Sequence, residues 1–377
     1  VTNFVKRVQF LYFDAGGGHR AAATALKSVI EQQSRPWEIT LVNVQELLHS
    51  LDVFRKVTGI RLEDIYNLML ARGWTLGSAT GLKFMHGVIR AYHSSTVRLL
   101  TRHFVDTQPS LVVSLIPNFN RAISESVFAA SPKTPIATII TDFADYPPHF
   151  WIERAVAGRE RYIVCGTDRA VEQARSLGYD DAHVFPTSGM IMRPRFYDLI
   201  TVDRGEERKK LGLDPDRSTG LVLFGGQGSK VMLDIARRLD DTQLILICGK
   251  NAALAAKLKA LPAKVPRHVE GFTQEIPYFM HLADFFIGKP GPGSISEALA
   301  MRLPVIVESN AWTLPQERYN AEWVRERGVG EVLPNFRGIR EAATKMLGSL
   351  EEYRGRVEKI ENRAVFEIPE FLSQLLD

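Results

Sequence analysis

A doubly wound α/β fold in two successive halves is predicted by three observations. Short apolar runs alternate with amphipathic helical stretches along most of the chain, the pattern of parallel sheets covered by helices. A strand, a glycine turn and a helix open the chain at residues 5–33, and the same order of elements recurs at residues 220–239. Between the halves, residues 199–218 are charged and carry Gly205, Gly212 and Pro215, the composition of a connection between domains. The expected organisation is a first domain at 1–198, a linker at 199–218, a second domain at 219–350, and a helical segment at 351–377 that packs back on the first half.

With 377 residues, 45% of them hydrophobic and 24% charged, the chain has the length and make-up of a two-domain globular protein. Its formal net charge of +4 permits an anionic ligand or an anionic membrane surface without demanding nucleic acid. No zinc-finger or RNA-binding pattern is present, so no nucleic-acid partner is expected. Cys165 and Cys248 end apolar runs and lack metal-ligand spacing, which reads as two reduced, buried thiols; no metal site is expected. Residues 1–13 are too short and strand-like for a signal peptide, and no apolar run reaches the roughly 18 residues that span a bilayer. The expected location is cytoplasmic, with peripheral membrane association. Because the chain begins with Val, a removed upstream segment stays open.

In the first half, residues 5–13 are rich in β-branched and aromatic side chains and turn through Asp14-Ala15-Gly16-Gly17-Gly18-His19 into a helix ending near residue 33. Gly16-x-Gly18-x-x-Ala21 matches a relaxed dinucleotide fingerprint. That reading needs an acidic residue at the end of the next strand, about twenty residues on, and residues 38–42 are followed by Asn43. Gly17 and Gly18 suggest instead a backbone that a ligand approaches closely. His19 fits a general base, since imidazole titrates near about 6.5, and equally a first-turn histidine bonded to a nearby carbonyl. From about residue 45 to 104 the pattern is helical, with Phe54, Trp74, Phe84 and Met85 set among Arg55, Lys56, Arg61, Arg72, Lys83 and Arg98. Such a segment suits an anionic membrane surface; core-packing helices with a solvated charged face fit it as well. Strands at 111–115 and 136–140 flank a helix at 121–130, and a further strand and helix follow at 161–165 and 167–177. The loop at 141–151 gathers Asp142, His149 and Trp151 at the carboxyl end of a strand, where ligands of open α/β sheets bind. These three either touch a substrate or belong to a prolyl loop packed on its own aromatics. Residues 186–191 read as an irregular exit.

The second half opens with a strand at 220–224, the loop Gly225-Gly226-Gln227-Gly228-Ser229 and a helix at 230–239. The Gly-Lys-Ser/Thr ending of a Walker A loop is absent. Strands at 244–248, 269–271, 284–287, 304–307 and 330–333 then alternate with helices. After the strand at 284–287 the chain turns through Gly288-Lys289-Pro290-Gly291-Pro292-Gly293 and a helix is expected to open at Ser294. The first amides of a new helix lack internal partners and carry the positive end of its dipole, which makes this an anion-binding turn, with Glu297 one turn on as a hydroxyl acceptor. Ser294-x-x-Glu297 fits a capping box equally well, and that would occupy both side chains.

Taken in order, Asp14-Ala15-Gly16-Gly17-Gly18-His19-Arg20, Gly225-Gly226-Gln227-Gly228-Ser229, Gly271-Phe272-Thr273 and Lys289-Pro290-Gly291-Pro292-Gly293-Ser294-Ile295-Ser296-Glu297 resemble the monogalactosyldiacylglycerol synthase group of glycosyltransferases. Bacterial diacylglycerol glucosyltransferases stand beside that group, and MurG-type enzymes of family 28 are more distant. The resemblance covers most of the chain. It implies a GT-B fold, with two Rossmann-like domains facing a central cleft, a UDP-sugar donor held by the second half and a lipid acceptor, diacylglycerol first, reached from the first half. It also implies that Glu297 holds the ribose hydroxyls, that Phe272 and Thr273 flank the uracil, and that Gly226, Gln227, Gly228 and Ser229 cradle the diphosphate with Gly293 and Ser294. Gln316 and Glu317 match the family's Gln-Glu pair that reads sugar hydroxyls. The family's Pro-Gly-Gln-Glu is here Leu314-Pro315-Gln316-Glu317, without the glycine.

On this reading His19 takes the proton of the acceptor hydroxyl, which attacks the anomeric carbon from the face opposite UDP and inverts it. Gly17, Gly18, Asp142, His149 and Trp151 then line the acceptor side. No cofactor or metal is required by such an arrangement. A UDP-sugar epimerase of similar architecture and a UDP-binding module without turnover are the competing readings.

Overall fold

The structure, a computed structural model, describes residues 5–14, 18–48 and 78–377. The chain forms two compact units, Val1–Pro194 with Asn362–Asp377, and Arg195–Glu361.

The first unit carries a parallel sheet of β1 (Lys6–Tyr12), β2 (Trp37–Asn43), β3 (Leu111–Ser114), β4 (Ile136–Ile139), β5 (Arg161–Cys165) and β6 (Val184–Pro186), in the order β2-β1-β3-β4-β5-β6. Helices α1 (Gly18–Gln32), α2 (Val44–Leu48), α3 (Ser78–Thr107), α4 (Asn120–Ala130) and α5 (Asp168–Ser176) run between the strands. β3 and β4 are buried along their whole length, which is why they read as mostly apolar runs rather than alternating ones. β6 has three residues and ends in a proline, too short a signal to separate from an irregular exit; it pairs with β5 at Ile163 and Val184.

Gly16, Gly17 and residues 49–77, the greater part of the basic aromatic segment, lie outside the described residues, as do the side chains of Lys83, Phe84 and Met85. Where α3 is described, Leu100 and Phe104 are buried with Val112, Ile116 and Ile123, while Arg98 and Arg102 are exposed. This end of the segment is a core-packing helix with a solvated charged face. No helix among the described residues is long and apolar enough to cross a membrane.

The second unit carries β7 (Thr219–Leu223), β8 (Gln243–Ile247), β9 (Arg267–Glu270), β10 (Phe285–Gly288), β11 (Val305–Glu308) and β12 (Gly330–Leu333), all parallel, in the order β12-β11-β10-β7-β8-β9. Its helices are α6 (Arg204–Lys210), α7 (Val231–Arg238), α8 (Ala252–Lys259), α9 (Ile276–His281), α10 (Pro292–Ala300), α11 (Arg318–Arg327), α12 (Ile339–Gly348) and α13 (Leu350–Val357). Two expected boundaries move. Residues 199–218 are not a free connection: α6 is capped by the Asp203 side chain, which accepts from Glu206 N, and it is anchored in this unit through the buried Arg208. α13 also stays here, and only α14 (Ala364–Gln374) packs in the first unit. There Phe371 stacks on Phe185 with centroids 4.4 Å apart, and Arg35 Nη1 donates to Ser373 Oγ at 2.9 Å.

In each sheet the winding direction reverses once, between β1 and β3 and between β7 and β10. Loops that leave the carboxyl ends of two such strands run to opposite faces of the sheet. The crevice between them is where ligands of open α/β sheets bind.

Candidate active site

At the switch point of the first unit stands His19, the second residue of α1. Its imidazole donates to the Leu115 carbonyl, and its Nδ1 lies 3.3 Å from Thr141 Oγ1. Trp151 lies against it, with ring centroids 5.7 Å apart. Burial lowers its pKa from 6.5 to about 4, with the Leu115 carbonyl opposing the shift. The ring is therefore neutral at pH 7: one nitrogen keeps a proton for Leu115 and the other keeps a lone pair. Both readings of His19 meet here, since the carbonyl bond that holds the first-turn histidine also sets up a neutral base.

The loop behind it packs on itself. Trp151 is 1% exposed and its Nε1 donates to Asp142 Oδ2 at 2.8 Å, so both residues are buried against each other. Asp145 accepts from Trp151 N at 2.6 Å and from His149 N at 3.0 Å. Asn120 Nδ2 donates to the carbonyls of Trp151 at 2.8 Å and Ile116 at 3.0 Å, while its Oδ1 accepts from Ser114 Oγ at 2.6 Å. Asp142 and Trp151 thus form a wall behind His19 rather than surface groups that a substrate meets; His149 alone of the three is exposed. Gly18 opens α1 and faces outward, and Gly17 lies outside the described residues. Sequence reasoning missed Thr141, Leu115 and Asn120 as partners, because they reach His19 or its wall from the ends of β3 and β4, far from it in the chain.

At the switch point of the second unit two turns come together. The first, after β7, is pinned by Lys250 N donating to Gly226 O at 2.8 Å and Asn251 Nδ2 donating to Gln227 O at 3.3 Å. Gly228 has φ +60°, and a Cβ there would lie 2.8 Å from the Cys248 carbonyl oxygen, so only glycine closes this turn. Ser229 leads into α7 by accepting from Met232 N at 3.1 Å. The second turn follows β10. Its helix, α10, is capped by Gly291 with Pro292 at its first position, two residues before the expected start, and Ser294 makes no capping bond. The capping-box reading fails for this reason. Pro292 has no N–H, and Ile295 N bonds Gly291 O at 3.0 Å, which leaves the amides of Gly293 and Ser294 without an acceptor among the described residues. At Gly226 and Gly293 a Cβ would meet nothing within 4 Å, so both backbones face open space.

Lys289, at the head of the second turn, donates to Glu317 Oε1 at 2.9 Å. Glu317, expected to read sugar hydroxyls, is 8% exposed, and its carboxylate holds this ammonium instead. Without the glycine of the related motif, residues 315–317 form a 3-10 turn in which Glu317 N bonds Leu314 O at 2.9 Å, and Gln316 stays partly exposed. Asn320, fully buried, donates to Pro290 O at 2.9 Å and ties α11 to the same turn. Glu297 is partly exposed one helical turn beyond Ser294. After β9, Phe272 is 59% exposed with Lys250 Nζ 5.4 Å from its ring, while Thr273 Oγ1 accepts from Glu275 N at 3.0 Å.

Two doubly wound parallel sheets, each with one switch point, have the architecture of the GT-B class. Residues 221–337 match the family model described as the glycosyltransferase family 28 C-terminal domain. Acinetobacter baumannii MurG shares the fold, with a TM-score of 0.62 over 98% of this chain and 99% of its own at 12% identity. S. aureus MnaA in its complex with UDP gives 0.57 over 98% and 97% at 16% identity. Within that class the chain is homologous to the monogalactosyldiacylglycerol synthases. It is 28% identical over 360 residues to the chloroplastic enzyme of Spinacia oleracea, covering 91% of this chain and 66% of that one.

The state of His19 sets a pH dependence. Its folded pKa lies below the unfolded value, so the unfolded chain takes up the proton first. Its contribution to stability is full above about 6.5 and is lost as pH falls toward 4. Since kcat/KM reports groups of the free enzyme, its pH profile is expected to show no histidine limb between about pH 5 and 7 and to fall toward pH 4. A limb near 6.5 contradicts the buried, neutral ring.

Proposed function

We propose that the protein transfers a hexose from a UDP-sugar to the hydroxyl of a lipid acceptor, diacylglycerol, with inversion at the anomeric carbon. The observation that carries this reading is the pair of acceptor-less amides at Gly293 and Ser294 in the first turn of α10, the positive end of a helix dipole and a fixed site for a diphosphate. Gly226, Gln227, Gly228 and Ser229 add a second glycine turn to the cradle. Glu297 takes the ribose hydroxyls, Phe272 offers an exposed aromatic face to the uracil beside Thr273, and Gln316 meets the sugar. In the step itself the hydroxyl oxygen bonds the anomeric carbon as its proton passes to the neutral His19, and the carbon–oxygen bond to the diphosphate breaks with its electrons leaving on UDP. Amides already in place stabilise that growing charge, so the proposed step uses no metal.

Homology to the monogalactosyldiacylglycerol synthases supports diacylglycerol as the acceptor. The basic aromatic segment before residue 104 supports a peripheral position on an anionic membrane, where such a lipid is reached. Mass analysis of lipid products tests the reading after incubation with mixed UDP-sugars and diacylglycerol. A monohexosyl diacylglycerol with equimolar UDP is the expected result. UDP-sugar isomerised without lipid product, or UDP bound without turnover, overturns it.

A further inference from the structure

Glu308 is the last residue of β11, at the ligand end of the second sheet, next to the strand whose turn carries Gly293 and Ser294. Side chains alternate along a strand, so Glu308 leaves the sheet on the same face as Ile306. That face is apolar: Ile306 packs with Val222, Phe285 and Ile287, and Leu333, paired with Glu308 across to β12, packs against the same cluster. A carboxylate set among such groups loses hydration that nothing among the described residues repays. Glu308 has no hydrogen-bond or ion-pair partner among the described residues, and burial holds its carboxyl above the usual range. Its neighbours at the strand ends differ, since Glu270 accepts from Gly271 N at 2.9 Å and Glu317 from Lys289 at 2.9 Å. The chain after it is fixed, with Asn310 N donating to Thr313 Oγ1 at 2.9 Å and Asn310 Nδ2 to the Pro334 carbonyl at 2.9 Å.

Position along the sheet edge says which part of a ligand meets this group. In sheet order from β9 through β8, β7 and β10 to β11, the strand ends present Phe272, then residues 226–229, then Gly293 and Ser294, then Glu308. A nucleotide sugar is itself linear, running base, ribose, diphosphate, sugar. With the base at the aromatic end and the phosphates at the free amides, the sugar comes to Glu308. A carboxylate there repels phosphate and uronate groups and accepts from neutral hydroxyls.

We propose that Glu308 accepts hydrogen bonds from the hexosyl hydroxyls of the donor and selects uncharged hexoses, a role that rests on the UDP-sugar reading above. The test is calorimetric titration of the wild type, Glu308→Ala and Glu308→Gln with UDP, UDP-glucose and UDP-galactose in the absence of acceptor, with thermal melts of each. Glu308→Ala is expected to keep wild-type UDP affinity and Tm and to bind the preferred UDP-hexose about 10- to 100-fold more weakly, as for a lost charge-assisted hydrogen bond, with Glu308→Gln between the two. Unchanged UDP-hexose affinity in Glu308→Ala overturns the inference and leaves the donor reading standing. Equal weakening toward UDP and UDP-hexose with a lowered Tm marks a structural role and also overturns it. A wild type that binds none of the three ligands brings down both.

Discussion

Replacing His19 by alanine is expected to lower the transfer rate by about 10²- to 10⁴-fold, the usual contribution of a positioned general base, while UDP affinity stays nearly unchanged. The separation follows from where the groups lie. His19 belongs to the first unit, and the amides of Gly293 and Ser294, with Lys289 and Glu297, belong to the second. A neutral imidazole accepts the hydroxyl proton only as the new bond forms, so its loss is felt in kcat and not in donor binding. Truncation also leaves a gap beside the buried Trp151, and His19→Gln serves as the variant that keeps volume without the base. Both are expected to show that loss in lipid-product assays and to titrate UDP as the wild type does. Turnover near normal in either removes His19 from the chemistry. Loss of activity in His19→Ala with recovery in His19→Gln assigns it a packing role behind the acceptor.

What could be read in advance, and what could not, divides along a physical line. Strand and helix were legible at residues 5–33, and strand, glycine turn and helix at 220–239, because each depends on short-range chemistry: buried parallel strands are mostly apolar, and Gly228 must take a positive φ. The turn after β10 was legible too, though its helix starts at Pro292 rather than Ser294, since a proline at the first helical position uses up no amide that the helix needs. The surroundings of His19 were not legible. Leu115 reaches it from the end of β3 and Thr141 from the loop after β4, and nothing local in the sequence marks that convergence, although Trp151 was named on the same side. The setting of Glu317 was not legible for a similar reason: its motif names the residue, but its partner Lys289 is 28 positions away. The charged stretch at 199–218 looked like a linker because α6 is polar on its outer face. The single buried arginine that docks it, Arg208, is indistinguishable by composition from its exposed neighbours.

That arginine leads to the largest expected loss of stability. Asp284, just before β10 and 7% exposed, accepts from Arg208 Nη2 at 2.8 Å and Thr219 N at 2.8 Å through Oδ2, and from Arg204 Nη2 at 3.0 Å and Arg354 Nη2 at 2.8 Å through Oδ1. Burial alone would raise its pKa, but the Thr219 amide and the guanidiniums outweigh it and hold the carboxyl below its usual range. Its stabilisation is therefore present above the ordinary carboxylate pKa and is lost as pH falls through the depressed folded value. Asp284→Ala is expected to lower the unfolding free energy of the second unit by about 3–5 kcal/mol, measured in urea, because it leaves Arg208 buried without an anion. Arg208 is 6% exposed and keeps only carbonyl acceptors, on Leu282, Pro215 and Arg217. Arg204→Ala removes a partly exposed member and is expected to cost well under half as much. Asp284 lies at the opposite end of β10 from the turn at 289–294, so whatever fraction of Asp284→Ala remains folded is expected to bind UDP with wild-type affinity. Equal stability of Asp284→Ala and wild type would mean that α6 and α13 are held by apolar contact alone. The polar cluster would then be a consequence of their docking rather than its cause.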